Sequence, residues 1–284
     1  MIISPKNLST KFSLLVNSFN KVFKRIQQTL CLLKDESTSR PCFLCEESIN
    51  SNDHFCIPCH ADLPDIQSHC RQCSLPLSIG NHGLGDAPLT VKPQLICGEC
   101  IQNSPSFSRT ICAFRYEFPI QHIIHKIKFN QERYWVSALS KALYKQINSI
   151  AMQDHAFIYP ELLIPIPLHK TKYKLRGFNQ ANLIACRLAK LSKLPLADDV
   201  LIKVQPTDTQ TKLNKSARLK NLKGSMTVPA KKLKQISGKH IALIDDVMTT
   251  KATAEVASQA LLLAGARRVD IWCIARTPKN RPIH

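Results

Sequence analysis

The segment Ile241-Ala-Leu-Ile-Asp-Asp-Val-Met-Thr-Thr-Lys-Ala-Thr253 concentrates groups able to handle a phosphorylated sugar. Four apolar residues predict a buried strand that ends in two acids, Asp245 and Asp246, before a hydroxyl-rich turn and a helix. In an open α/β sheet, ligands bind at the carboxyl ends of the strands, where this turn must lie. Backbone N–H groups of the turn and the positive end of the helix suit a phosphate, with Thr249, Thr250 and Thr253 adding hydroxyl donors. Asp245 and Asp246 suit the hydroxyls of a ribose. The plainer reading is that a Thr-rich N-cap after two acids simply begins a helix.

A second chemistry lies near the N-terminus. Of 12 cysteines, eight fall in four C-x-x-C pairs: Cys42/Cys45, Cys56/Cys59, Cys70/Cys73 and Cys97/Cys100. Two residues between cysteines let both thiolates of a tight turn meet one tetrahedral ion, so eight ligands allow two structural zinc ions. Ten residues separate the first two pairs and 23 the last two, which suits successive zinc ribbons but leaves interleaved pairing open. Redox use of a C-x-x-C needs a following helix, and no pair precedes a helical pattern. Cys31, Cys112, Cys186 and Cys273 sit in apolar surroundings and read as buried small residues. His54, His60 and His69 lie near the pairs but are not needed as ligands.

Charge narrows the partners. Lys and Arg outnumber Asp and Glu by 39 to 20, a formal net charge of +19. The excess is clustered, which favours a polyanionic partner over mere solubility. Lys172, Arg218, Lys220 and Lys223, then Lys231, Lys232 and Lys234, form a surface suited to a nucleic-acid backbone. Aromatic residues for base stacking are few there, Tyr173 and Phe178, and Phe178 reads as core. No run approaches a bilayer span and the first residues lack a secretory pattern, so a soluble, cytoplasmic protein is expected.

The elements that must position these groups follow from periodicity. Residues 1–40 predict an amphipathic helical segment, 41–109 a cysteine-paired module with little core of its own, and 110–284 an α/β domain. Within the last, strands are expected at Ile111 to Tyr116, Leu162 to Pro165, Val200 to Val204, Ile241 to Ile244 and Val269 to Ala275. Helices are expected around Ile120 to Ile127, around Trp135 to Leu143, at Phe178 to Lys190 and at Thr253 to Ala264. Strands alternating with helices predict a parallel sheet covered on its faces. No internal repeat is seen beyond the C-x-x-C spacing.

Taken together, the paired cysteines, Ile164-Pro-Ile-Pro-Leu168, Arg176-Gly-Phe-Asn-Gln180, Gln210-Thr-Lys-Leu-Asn-Lys-Ser-Ala-Arg218 with Asn221 and Gly224, and Asp245-Asp246 resemble the ComF family. The resemblance covers nearly the whole chain, and the similar GntX group is a further relative. The segment from Ile241 to Thr253 is similar to the phosphoribosyl pyrophosphate signature of type I phosphoribosyltransferases. The resemblance implies a type I phosphoribosyltransferase-like parallel sheet flanked by helices, behind a double zinc ribbon. It implies a competence protein of natural transformation that handles incoming single-stranded DNA. Phosphoribosyl pyrophosphate or a nucleotide is then a ligand, with competence or recombination proteins as partners.

For the site, the resemblance implies Asp245 and Asp246 as the catalytic pair and Val247, Met248, Thr249, Thr250, Lys251, Ala252 and Thr253 as the phosphate loop. Mg2+ would arrive with the pyrophosphate, for which His169, Lys170, Lys172, Lys174 and Arg176 supply cations. The segment from Gln210 through Lys212 to Arg218 would be a mobile hood, or else a solvated basic loop. Two other functions stay open: a working phosphoribosyltransferase on an unknown acceptor, and a non-catalytic scaffold for DNA-processing proteins. One position departs from the family pattern, Lys251 in place of glycine. If the turn needs positive φ there, lysine costs about 1–2 kcal/mol. Lys251 then either adds a cation for the phosphate or distorts the loop.

Overall fold

The computed structural model describes residues 40–49, 53–66, 68–77, 95–130, 132–204 and 225–279. The expected N-terminal amphipathic helix and the segment from Gln210 to Lys223 lie outside the described residues. After a short antiparallel pair, β1 (Arg40–Pro41) and β2 (Ser48–Ile49), four parallel strands make the central sheet: β3 (Arg109–Arg115), β4 (Leu162–Pro165), β7 (His240–Met248) and β8 (Arg268–Arg276), in the order β3-β8-β7-β4. Their side chains alternate between two apolar clusters. Ile241, Leu243, Val269, Ile271 and Cys273 belong to one, and Ala242, Ile244, Trp272 and Ile274 to the other. Both faces are therefore buried, as an all-parallel sheet requires.

One face is covered by α8 (Ala252–Leu263), through Ala254, Ala257 and Leu261. The other is covered by α3 (Ile120–His125), which continues as a π turn (Lys126–Asn130), by α4 (Trp135–Gln153) and by α6 (Gln180–Ser192). This arrangement is the α/β class expected from the alternation of strand and helix patterns.

Three expectations change. Val200 to Val204 yields only β5 (Ile202–Lys203), which pairs antiparallel with β6 (Met226–Thr227) outside the main sheet. The strand carrying the acids does not end at them but runs on to Met248, because β8 continues alongside and pairs Val247 with Ala275 and Met248 with Arg276. The basic stretch after β4 is a helix, α5 (Lys170–Arg176). His169 caps its N-terminus through Nδ1, 3.3 Å from the Thr171 N–H, and Gly177 ends it at φ 76°, where a side chain would be strained. Asn179 then opens α6, accepting from the Ala181 N–H at 3.1 Å and donating to the Ile166 carbonyl at 2.9 Å. The Arg176-Gly-Phe-Asn-Gln180 motif is thus a corner between two helices, pinned by Phe178, which is fully buried.

The cysteine-rich segment shares this core. Between its two halves, Arg115 donates its N–H to the Pro64 carbonyl at 2.7 Å and Asp65 forms a bridge to Phe114, so the segment covers the edge of β3. An edge strand otherwise offers unpaired backbone groups. The first half packs Phe43 and Phe55 against Trp135 on the helical face, and the second half joins the cluster under α8.

Candidate functional site

The eight paired cysteines gather into two groups in chain order, Cys42, Cys45, Cys56 and Cys59, then Cys70, Cys73, Cys97 and Cys100. Pairing is successive, not interleaved. A tetrahedral zinc with bonds of about 2.3 Å sets its sulfurs about 3.8 Å apart. The Sγ atoms of Cys45 and Cys56 lie 3.6 Å apart and those of Cys73 and Cys97 3.7 Å, so both groups fit the ion.

The two groups repeat the same local geometry, which spacing alone did not reveal. In each, the residue after the second cysteine turns through positive φ, Glu46 at 65° and Ser74 at 54°. In each, the third cysteine caps a five-residue helix, Cys56 before α1 (Ile57–Ala61) and Cys97 before α2 (Gly98–Gln102). This corrects the expectation that no pair precedes a helix. Each of these caps also donates its N–H to the first sulfur of its group, Cys42 or Cys70, at 3.3 Å. Burial alone would raise the Cys42 thiol, but backbone donors from Cys56, Cys45 and Leu44 outweigh it and bring it down to about 6. The Cys73 thiol and the backbone donors around it bring Cys70 down to about 4 against burial. These donors thus favour the first sulfur of each group as the thiolate, the form that binds metal, whereas burial raises Cys59 and Cys100 and the Cys70 thiol raises Cys73.

The second centre lies at the carboxyl end of β7, which outruns β4 from Asp245 to Met248; in an open parallel sheet this is where the ligand crevice lies. Asp245 and Asp246 are half-buried there. Asp246 pairs with the Lys128 ammonium at 2.6 Å and fixes the Val247 N–H at 2.8 Å. Burial opposes the charge on Lys128, but Asp246 and then Asp245 hold its pKa above the usual lysine range. Burial, and next the Asp246 carboxylate, push Asp245 up to about 8. Lys203 on β5 is within electrostatic reach of Asp245: burial and the neighbouring Lys172 lower its pKa, against the pull of that carboxyl. The two carboxyls therefore interact with cations from two separate elements, Lys128 of the π turn and Lys203 of β5.

Sequence reasoning missed Lys128 and Lys203. Lys128 stood as one polar residue between Ile127 and Phe129 in an apolar helix pattern, and Lys203 lay in a strand assigned to the main sheet. Lys172, read as a nucleic-acid contact, stands beside Lys203. Lys174 is exposed and Arg176 is half-buried on α5, where its guanidinium lies 5.4 Å from the Phe129 ring centroid. Lys170 starts that helix. Gln210, Lys212, Arg218, Lys220 and Lys223 lie outside the described residues. Lys231 and Lys234 are exposed beyond β6, Lys234 on the short helix α7 (Leu233–Ile236), and Lys232 pairs with Asp199 at 2.8 Å.

After Met248 the loop exposes Thr249 and Thr250, with Ala252 and Thr253 half-buried at the start of α8. Lys251 has φ −72° and ψ −8°, ordinary helical backbone. The glycine of the family pattern is therefore not needed here for positive φ. Nor does the Lys251 side chain turn to the crevice. Its Nζ lies 3.6 Å from the Cys100 sulfur and 3.6 Å from Glu99 Oε1. Arg276, unremarked in the sequence, ends β8 beneath the loop and is buried. Its Nη1 donates to the carbonyls of Met248, Thr249 and Thr277 at 2.9 Å each, and its Nε donates to that of Cys73 at 2.8 Å.

No protein-family model matches the chain. It is 30% identical over 181 residues to Competence protein F of Haemophilus influenzae, an alignment spanning 63% of this chain and 78% of that protein. The chain belongs to the ComF family. This ComF-family chain is also 28% identical over 237 residues to DNA utilization protein YhgH of Salmonella typhimurium, covering 83% of the chain and 96% of that relative. With Competence protein ComFC of Bacillus subtilis it shares 28% identity over 265 residues, 89% and 97% of the two lengths. A purine phosphoribosyltransferase from Pyrococcus horikoshii, 17% identical and covering 53% of the chain and 80% of its own, aligns at a TM-score of 0.30. That likeness is too distant to carry an argument, and the fold class of the ComF-family chain rests on its strand order. Among the described residues no helix is long and apolar enough to cross a membrane.

Proposed function

We propose that this chain is a competence protein of natural transformation, handling incoming single-stranded DNA and binding phosphoribosyl pyrophosphate with Mg2+ in its crevice. The observation that carries the reading is the Asp245–Asp246 pair near the end of β7, paired with Lys128, within electrostatic reach of Lys203, and followed by a hydroxyl-bearing loop into α8. Carboxylates take ribose hydroxyls, cations take pyrophosphate, and the amides from Thr250 to Thr253 take the 5-phosphate. The relatives named for competence and DNA utilization support the cellular role. The two cysteine groups hold structural zinc, which supplies folding energy in place of a larger core.

Titration of Asp245 gives this reading a pH signature. Its carboxyl stands at about 8 against an ordinary 3.8, so the folded protein keeps a proton at neutral pH that the unfolded chain has lost. The stability contributed by this group is full below about pH 4 and is lost as pH rises to about 8. A Mg2+–pyrophosphate ligand needs the ionised form. Its binding releases a proton, and its affinity rises between about pH 6.5 and about 8.5. Calorimetry in buffers of different ionisation enthalpy measures the release. A profile in Asp245→Asn as steep as the parent's would contradict the assignment.

For DNA, the net charge of +19 predicts binding of a fluorescent oligonucleotide that weakens about 10-fold or more between about 50 and about 200 mM salt. Anisotropy titration measures it, and failure to bind at the lower salt removes the DNA half of the proposal.

A further inference from the structure

The second cysteine group and the loop after β7 are joined by more contacts than packing alone requires. We propose that Lys251 and Arg276 make this four-cysteine site the foundation of the loop from Met248 to Lys251. With metal in the site the loop is held in place, and loss of that metal releases it. The link itself needs no ligand; only the statement that the loop carries a phosphate rests on the function proposed above.

Four thiolates around Zn2+ carry a net charge of about −2, which favours cations and hydrogen-bond donors in the surrounding layer. The Lys251 ammonium, only 15% exposed, lies 3.6 Å from the Cys100 sulfur and turns away from the crevice. Its ordinary helical backbone frees this contact of any strain in the turn. A glycine here has no side chain to make the contact, so the departure from the family pattern acquires a use.

Three further contacts point the same way. Arg276 reaches from one end of its guanidinium to Cys73, a ligand residue, and from the other to Met248 and Thr249 in the loop. Glu255, in the first turn of α8, accepts from the N–H and hydroxyl of Ser106 at 2.9 and 2.5 Å. Ser106 follows the short helix that bears Cys100. Finally, Cys70, Cys73, Cys97 and Cys100 share one apolar cluster with Met248, Ala254 and Ala257. The first cysteine group packs on the opposite face of the sheet, so the coupling belongs to the second site.

The test uses the full zinc-loaded chain, a colorimetric chelator and hydrogen exchange. Cys45 is exposed while all four cysteines of the second site are buried, so the second site gives up its ion last; alkylation of the freed thiols identifies each site. Lys251→Met is expected to release the second equivalent about 10-fold faster than the parent, with Lys251→Arg close to the parent. Amides of residues 247–253 should exchange unchanged when the first ion leaves and at least about 10-fold faster when the second leaves. Strand β4 serves as the internal reference and should stay protected. Release from Lys251→Met at the parental rate overturns the inference, as does loop exchange indifferent to the second ion. A rise shared equally by β4 also overturns it, since the site would then hold the whole fold and not the loop. If these results hold while the parent takes up no phosphoribosyl pyrophosphate, the coupling stands and the ligand assignment falls.

Discussion

Asp246→Ala lowers the affinity for Mg2+–phosphoribosyl pyrophosphate by about 10- to 100-fold, the range expected when a charged hydrogen-bond partner is removed. Asp246 is the most constrained acid in the crevice, paired with Lys128 at 2.6 Å and bonded to the Val247 N–H at 2.8 Å. The substitution removes an acceptor for ribose and also leaves a largely enclosed ammonium without its partner. Lys128→Met separates the two effects, because it spares the acceptor while removing the cation. Calorimetric titration of parent and both variants is the measurement, and an Asp246→Ala affinity within about twofold of the parent would remove this residue from the site.

Arg276→Ala destabilises the protein by about 2–4 kcal/mol, the cost of leaving the buried Cys73 carbonyl and the part-buried Thr249 and Thr277 carbonyls without this donor. Four carbonyls, those of Cys73, Met248, Thr249 and Thr277, accept from this one guanidinium, and of these Met248 keeps a second donor, the Thr277 N–H at 3.1 Å. Arg276→Lys does not restore the loss, because one ammonium cannot span two directions as the planar fork does. Chemical denaturation with zinc held constant reads the difference. A change below about 1 kcal/mol would mean that water replaces the guanidinium without cost.

The elements that were legible in the sequence are those whose pattern is set by burial. Leu162–Pro165 matches its expected strand, and β7 and β8 contain theirs, because strands buried on both faces read as unbroken apolar runs. The two cysteine groups were legible as ligands because a thiolate pair at fixed spacing has few other uses. Cross-chain pairing was not legible. Lys128, Lys203 and Arg276 matter because of what other elements bring to them, and a single basic residue carries no local signal of such a partner. Lys251 shows the same limit from the other side. Its position next to two threonines suggested a phosphate ligand or a strained turn, whereas its Nζ lies beside Glu99 and the Cys100 sulfur, the latter 151 residues away in sequence. The end of β7 was misjudged because acids usually mark a strand's exit, while here β8 continues to supply hydrogen bonds through Arg276.

The claim on which the functional account turns is that the strand end and loop from Asp245 to Thr253 grip an activated ribose phosphate. A crystal structure of the chain with Mg2+ and phosphoribosyl pyrophosphate tests it most directly. The account predicts the 5-phosphate on the amides from Thr250 to Thr253 and the ribose hydroxyls on Asp245 and Asp246. Ligand density elsewhere, or a loop left empty at saturating ligand, would contradict it.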